Sequence, residues 1–94
     1  MGFSDVRKAV IHALMTGAYS HESRKGIDVK NKLATGEVSA EQLIDILKQC
    51  RGTGHSCSPH HLDKSIDVHV IESRSWYIKF YFLDPDTVFI SVHQ

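Results

Sequence analysis

Histidine, lysine and tyrosine side chains recur at alternate positions in the last third of the chain. The sequence contains seven histidines in 94 residues, and histidine titrates near neutral pH, binds metals and serves as an acid or a base. Two imidazoles beside an ammonium suit metal-independent phosphodiester cleavage: one takes the proton of a ribose 2′-hydroxyl, the other protonates the leaving 5′-oxygen, and the ammonium stabilises the extra negative charge on phosphorus. The candidate catalytic residues are His69, Tyr77, Lys79 and His93.

Three segments with a period of two position these side chains. From Ser65 onward, apolar residues alternate with other residues, which is typical of β-strands. Turn-forming residues at 72–75 and 84–86 separate three such runs. The pattern therefore predicts an antiparallel three-stranded meander over residues 65–94.

The register of the second hairpin decides which side chains share a face. If Leu83 opposes Thr87 across a turn centred on Pro85, the large apolar residues of both strands lie on one face. The opposed pairs on the other face are then Tyr81–Phe89, Lys79–Ser91 and Tyr77–His93.

The first hairpin is expected to bring His69 to that same polar face. A turn that sets Ile71 opposite Ser75 places His69 beside Tyr77 and Asp67 beside Lys79. The nuclease hypothesis requires the imidazoles and the ammonium to meet in this way on a solvent-exposed surface. A solvated strand face with no catalytic role is the alternative interpretation of the same pattern.

Further side chains could hold an RNA substrate at this face. Tyrosines can stack on unpaired bases, and loops on a rigid sheet often supply binding groups. The candidate substrate-binding residues are Arg51, His60, His61, Arg74, Tyr81 and Ser91.

Residues 51–64 read as a His- and Cys-rich loop with two glycines and a proline. Zinc prefers four thiolate or imidazole ligands in a tetrahedron, and Cys50, His55, Cys57 and His60 are the set that this loop offers. Their spacing matches no standard zinc finger, so we expect no metal and no other cofactor. The other interpretation buries Cys50 at the end of its helix.

The first half of the chain, residues 4–50, reads as helical. A stripe from Val6 to Leu14 has helical spacing and stops at Gly17, and residues 28–34 could form a short helix. Ser39 and Gln42 form a capping box before a second amphipathic helix. The predicted fold is α+β, with N-terminal helices packed on one face of the meander.

Composition indicates a single domain of 94 residues. Basic and acidic residues number 11 each, so general electrostatic attraction to nucleic acid is excluded and any phosphate-binding role needs a local patch. No apolar run approaches the roughly 20 residues that cross a bilayer, and no signal peptide is evident. A cytoplasmic setting with no membrane partner is the expectation.

The strand sequences also resemble a known family. The segments Asp67-Val-His69, Ser75-Trp-Tyr-Ile-Lys-Phe80 and Val88-Phe-Ile-Ser-Val-His93 resemble the C-terminal sheet of the MqsR toxins, within the RelE-like bacterial type II toxins. Tyr77 and Lys79 match the family's strand tyrosine and lysine, and His93 stands where its C-terminal lysine lies. The resemblance implies a metal-independent, mRNA-cleaving endoribonuclease that a cognate antitoxin holds inactive.

Two other classes of function stay open from the sequence. One is a non-catalytic interaction module, such as an antitoxin, immunity protein or adaptor that uses the exposed sheet face, and the other is a small zinc protein. A homodimer is possible under any of these hypotheses.

Overall fold

The computed structural model describes residues 2–23, 25–84 and 86–94. Its elements are α1 (Phe3–Thr16), β1 (Tyr19–His21), α2 (Ile27–Lys30), α3 (Ala40–Gln49), a 3₁₀ turn (Gly52–Gly54), β2 (His55–Pro59), β3 (Asp67–Ser73), β4 (Trp76–Leu83) and β5 (Asp86–His93). The strands form one sheet in the order β1-β5-β4-β3-β2. No helix within these ranges is long and apolar enough to cross a membrane.

The prediction of a three-stranded antiparallel meander is wrong, although the fold is α+β. The sheet has five strands and is mixed, because β1 runs parallel to β5 while β2 to β5 pair antiparallel. β1 lies inside the segment interpreted as helical, and β2 lies inside the segment interpreted as a loop. Both are edge strands, and four of the five β2 residues are exposed, so β2 lacks the alternation that marks a half-buried strand.

Helix α1 follows from the apolar stripe that the sequence shows. Val6, Val10 and Leu14 are buried on one side of the helix, and Gly17 ends it in the left-handed conformation, with φ at 80°. The helix begins at Phe3, and its N-cap residue, Gly2, makes no side-chain hydrogen bond.

Helix α3 begins at the predicted capping box, which the structure confirms. The Gln42 backbone N–H donates to Ser39 Oγ at 3.1 Å, and the Ser39 backbone N–H donates to Gln42 Oε1 at 2.8 Å. Leu43 and Leu47 are fully buried on the inner side of the helix.

Helices α1 and α3 contribute to one apolar core with the sheet. The face of the sheet whose side chains join this core, called the covered face below, includes Ile71, Ile78, Phe80, Phe89 and Val92. All five of these side chains are fully buried. The opposite face, called the open face, carries Val70, Tyr77, Lys79, Ser91 and His93.

A buried asparagine ties the segment around α2 to β5. The Asn31 side chain is fully buried; its Nδ2 donates to His21 Nδ1 at 3.0 Å, and its Oδ1 accepts from the Ala34 N–H at 3.0 Å. The next backbone N–H, that of Lys32, donates to the Val92 carbonyl at 2.8 Å. These bonds hold α2 beside the open face at the end of β5.

The second hairpin has the predicted register at one end only. Tyr77 opposes His93 and Lys79 opposes Ser91, as predicted. A β-bulge after Lys79 then shifts the pairing by one residue, so that Phe80 opposes Phe89. Opposition of Leu83 to Thr87 is therefore wrong, because Leu83 opposes Asp86. Pro85, on which the turn was centred, lies outside the described residues.

The first hairpin has a different register from the predicted one. Its connection is only the two residues Arg74 and Ser75, both with positive φ (51° and 66°), which is the conformation of a tight hairpin turn. Ile71 consequently opposes Ile78 rather than Ser75, and His69 opposes Phe80 rather than Tyr77. The shift is by an odd number of residues, so His69 points to the other face.

Candidate functional site

His69 lies on the covered face, away from the lysine that it was predicted to accompany. Its side chain is only 5% exposed, and its ring stacks on Phe80 with centroids 5.7 Å apart. The prediction that His69 shares a face with Lys79 and His93 is therefore wrong. The two-histidine mechanism that depended on this arrangement does not assemble here.

A second histidine, from β2, is the polar partner of His69. His55 Nε2 lies 3.1 Å from His69 Nδ1, and the two rings stack with centroids 5.3 Å apart. Burial, followed by the charge of His55, lowers the pKa of His69, while Asp67 opposes this shift. Burial likewise lowers the pKa of His21, whose Nδ1 accepts the hydrogen bond from Asn31.

These depressed pKa values predict that the fold loses stability in acid. The unfolded chain takes up protons on His69 and His21 near 6.5, whereas the folded chain takes them up only at lower pH. Below about pH 6.5, and until the folded chain also takes up these protons, the unfolded state binds more protons than the folded state. The free energy of unfolding therefore falls as the pH decreases below about 6.5. Urea unfolding at a series of pH values measures the slope.

The variant His69→Gln separates this effect from general acid sensitivity. Removing the buried titrating group should flatten the slope, by up to about 1.4 kcal/mol per pH unit for each proton no longer linked. His12→Gln, at an exposed position of α1, is the matched histidine control. An unchanged slope in His69→Gln would contradict the prediction.

Four predicted site residues do meet on the open face. Tyr77, Lys79, Ser91 and His93 line a shallow cavity of about 390 Å³, which α2 closes on one side. The Tyr77 and His93 rings stack with centroids 5.2 Å apart and planes inclined by 21°. The helix contributes Val29 and Lys30, so a second ammonium lies at this cavity.

The hydrogen bond of His93 indicates which of its two ring nitrogens carries the basic lone pair. His93 Nδ1 lies 3.2 Å from the main-chain oxygen of Gln94. A main-chain oxygen only accepts, so Nδ1 is the donor and carries the proton. In the neutral imidazole, Nε2 is then the basic atom, and a general base needs such an atom within reach of its substrate.

A second cavity, of about 490 Å³, lies on the same face and shares Lys79 with the first. His60 and His61 enter it from the segment that connects β2 to β3. Beside it, Val68, Tyr81, Val88 and Ile90 form a smaller apolar cluster, with Ile66 packed against them. Lys79 therefore stands between the two cavities.

His60 is fixed at both of its ring nitrogens. The Leu62 backbone N–H donates to Nδ1 at 3.0 Å, so Nε2 carries the proton and faces Glu22 Oε2 at 3.4 Å. Burial, followed by hydrogen bonding to Glu22 and the Glu22 charge, raises the pKa of Tyr81. His60 thus positions its neighbours, and neither nitrogen is available to transfer a proton.

Two predicted binding residues lie elsewhere. Arg51 precedes the 3₁₀ turn, whose Gly52 lies beside Phe3 of α1. Arg74 lines a small cavity near the end of α3, together with Gln49. In the described part of the chain, neither arginine lines an open-face cavity.

The four residues of the zinc alternative are dispersed. Cys50 is buried, and its Sγ donates to the Ile46 carbonyl at 3.2 Å. His55 contacts His69 on the covered face, whereas His60 contacts Tyr81 on the open face. Within the described residues, no group of three or more His, Cys, Asp or Glu side chains could hold a metal ion.

Comparisons with protein-family models, with curated proteins and with solved structures find no match for this chain. The resemblance of its strands to the MqsR toxins therefore stays a prediction.

Sequence reasoning missed two groups at this face. Glu22 follows the short strand β1 and reaches the His60 cavity, and Lys30 reaches the His93 cavity from α2. A charged residue in a segment without hydrophobic periodicity gives no sequence signal that it lies at this face. Only the pairing of β1 and Asn31 with β5 brings them to the face.

Proposed function

We propose that the protein is a metal-independent endoribonuclease whose reaction centre is the cavity lined by Tyr77, Lys79, Ser91 and His93. The observation that carries the proposal is their convergence on one open cavity, where an imidazole with a basic Nε2 and an ammonium lie together. Because His69 lies on the covered face, His93 is the histidine that lines this cavity. The proposed mechanism therefore differs from the two-histidine scheme.

In the proposed reaction, His93 Nε2 takes the proton of a ribose 2′-hydroxyl. The 2′-oxygen attacks the adjacent phosphorus and forms a 2′,3′-cyclic phosphate as the P–O5′ bond breaks. The leaving 5′-oxygen takes the hydroxyl proton of Tyr77, which regains one from solvent after His93 releases its own. Lys79 stabilises the negative charge that develops on the non-bridging oxygens.

The test is incubation of the purified protein, free of any partner, with single-stranded RNA in EDTA. We expect fragments that end in a 2′,3′-cyclic phosphate and begin with a 5′-hydroxyl, because no water enters the first step. Intact RNA under these conditions would reject the proposal. Fragments that carry a 5′-phosphate would reject the mechanism.

We further propose that the protein is the toxin of a cytoplasmic toxin–antitoxin pair, as the strand resemblance implies. Exposed apolar side chains support a protein partner at the same face: Val29 is 62% exposed at one cavity, and Leu62 is 81% exposed at the other. An antitoxin seated there would block the reaction centre. Growth arrest on expression, relieved by a co-encoded partner, tests this.

The same two side chains favour a second candidate function, a non-catalytic interaction module. Under it, the open face would bind a protein and turn over no substrate. Substitutions at His93 and Lys79 would then change the affinity for the partner, and RNA would remain intact with every variant.

A further inference from the structure

The second open-face cavity has a different chemical character from the proposed reaction centre. Apolar and polar side chains share its wall, and among the described residues Glu22 and Lys79 are the Glu and Lys side chains that line it. Its volume is about 490 Å³, and its wall includes Glu22, Ser58, His61, Val68, Lys79 and Ile90.

The Glu22 carboxylate is held in place by its neighbours. His60 Nε2 lies 3.4 Å from Oε2, and the same carboxylate contributes, through hydrogen bonding and its charge, to the raised pKa of Tyr81. His60 is itself held by the Leu62 N–H. An ionised carboxylate has about four lone-pair sites, so Glu22 retains acceptor capacity for a ligand.

Lys79 supplies the complementary donor. Glu22 is hydrogen-bonded to His60, and among the ion pairs of the described residues none joins Glu22 to Lys79, although both line this cavity. The cavity therefore presents separate sites for a hydrogen-bond donor and an acceptor. A ligand that carries an N–H donor beside an acceptor fits both.

An exposed imidazole at the cavity favours a planar ligand. His61 is exposed and stacks on the buried His60 with centroids 4.8 Å apart and planes inclined by 16°, so the outer face of His61 is the one on which a ligand can stack. Unpaired nucleobases are bound by stacking on aromatic side chains, histidine included, and by hydrogen bonds to their edges. The cavity thus combines a stacking surface with a fixed acceptor and a cationic donor.

We propose that this cavity binds the base of an RNA nucleotide beside the cleaved phosphate, and that it prefers a base with an exocyclic amino group over uracil. The inference rests on the proposed function, since Lys79 links the two cavities. An amino group donates to Glu22, as carboxylates accept from the cytosine amino group, and the adjacent ring atom accepts from Lys79. Uracil presents the reverse order, an O4 acceptor beside an N3–H donor, so in the same orientation it would set O4 against the Glu22 carboxylate and N3–H against the Lys79 ammonium.

The test compares CMP with UMP, which differ at the edge that Glu22 would read. Titrations followed by NMR should give a dissociation constant roughly tenfold lower for CMP in the wild-type protein. Glu22→Gln should bring the two constants close together, because an amide can also donate to a carbonyl oxygen. Its oxygen still accepts from His60 Nε2, as the carboxylate does, so the fold is retained.

Glu37→Gln is the matched control, since Glu37 pairs with Lys32 at 2.8 Å and lines neither open-face cavity. It should keep the CMP preference. Equal binding of CMP and UMP to the wild type, binding of neither, or an unchanged ratio in Glu22→Gln would each overturn the inference.

The experiments distinguish an error in the proposed base-binding pocket from an error in the proposed nuclease activity. A Glu22-dependent CMP preference in a protein that leaves RNA intact would support the pocket and reject only the proposed catalysis. RNA cleavage whose preference for C over U is unchanged in Glu22→Gln would overturn the pocket and support the nuclease.

Discussion

Replacing His93 by glutamine is expected to lower the rate of RNA cleavage by about 10²–10⁴-fold, the usual loss when a general base is removed. Glutamine keeps a polar side chain of similar length but has no basic nitrogen at neutral pH. The rate should be measured in EDTA under single-turnover conditions with an RNA substrate of defined sequence. Urea unfolding should show that the variant is folded, because His93 is only partly buried.

The control for this loss is another histidine of the same chain. His12→Gln removes an imidazole from an exposed position on α1, on the side of the sheet opposite to the reaction centre, and should cleave at the wild-type rate. Equal rates for wild type and His93→Gln would exclude His93 as the base.

The sequence predicts the elements whose signals are local. The α1 stripe and the Ser39–Gln42 capping box each depend on residues within one or two turns of helix, and both are present. The end of the second hairpin is similar, because strict alternation in both strands leaves one register that buries Ile78 and Val92 together. The co-facing of Tyr77, Lys79 and His93 follows from that register.

The position of His69 could not be obtained in the same way. It depends on how many residues turn the first hairpin, and the turn consists of Arg74 and Ser75 at positive φ, a conformation usually signalled by Asn or Gly. Both possible faces of β3 offer apolar residues, since Val68 and Ile71 are each buried, on opposite sides of the sheet. Hydrophobic patterning alone therefore did not distinguish the two registers.

The edge strands β1 and β2 were not predicted, for a different reason. β1 has three residues and β2 has five, and edge strands are stabilised by pairing with a neighbour rather than by their own pattern. Glu22 and His60 reach the open face only because these two strands attach to opposite edges of the sheet. The second cavity is thus a product of long-range pairing, which no local signal reveals.

The pairing of β2 with β3 predicts that substitution of one glycine has a large effect on stability. Gly54, at the end of the 3₁₀ turn, lies so close to β3 that a Cβ atom would collide with the backbone oxygen of Glu72. A backbone oxygen in a sheet cannot move aside as a flexible side chain can. Gly54→Ala is therefore expected to lower the free energy of unfolding by about 3 kcal/mol, at the upper end of overpacking costs.

A neighbouring glycine separates this collision from a general effect of alanine in the turn. At Gly52 the nearest atom to an added Cβ is the Phe3 side chain, at 3.4 Å, so Gly52→Ala should change stability by less than about 1 kcal/mol. Urea unfolding measures both variants. Hydrogen exchange in Gly54→Ala should show lost protection in β2 and β3 before α1, because the clash separates these strands where His55 meets His69. Equal stability of the two variants would mean that β2 is not held against β3 as described.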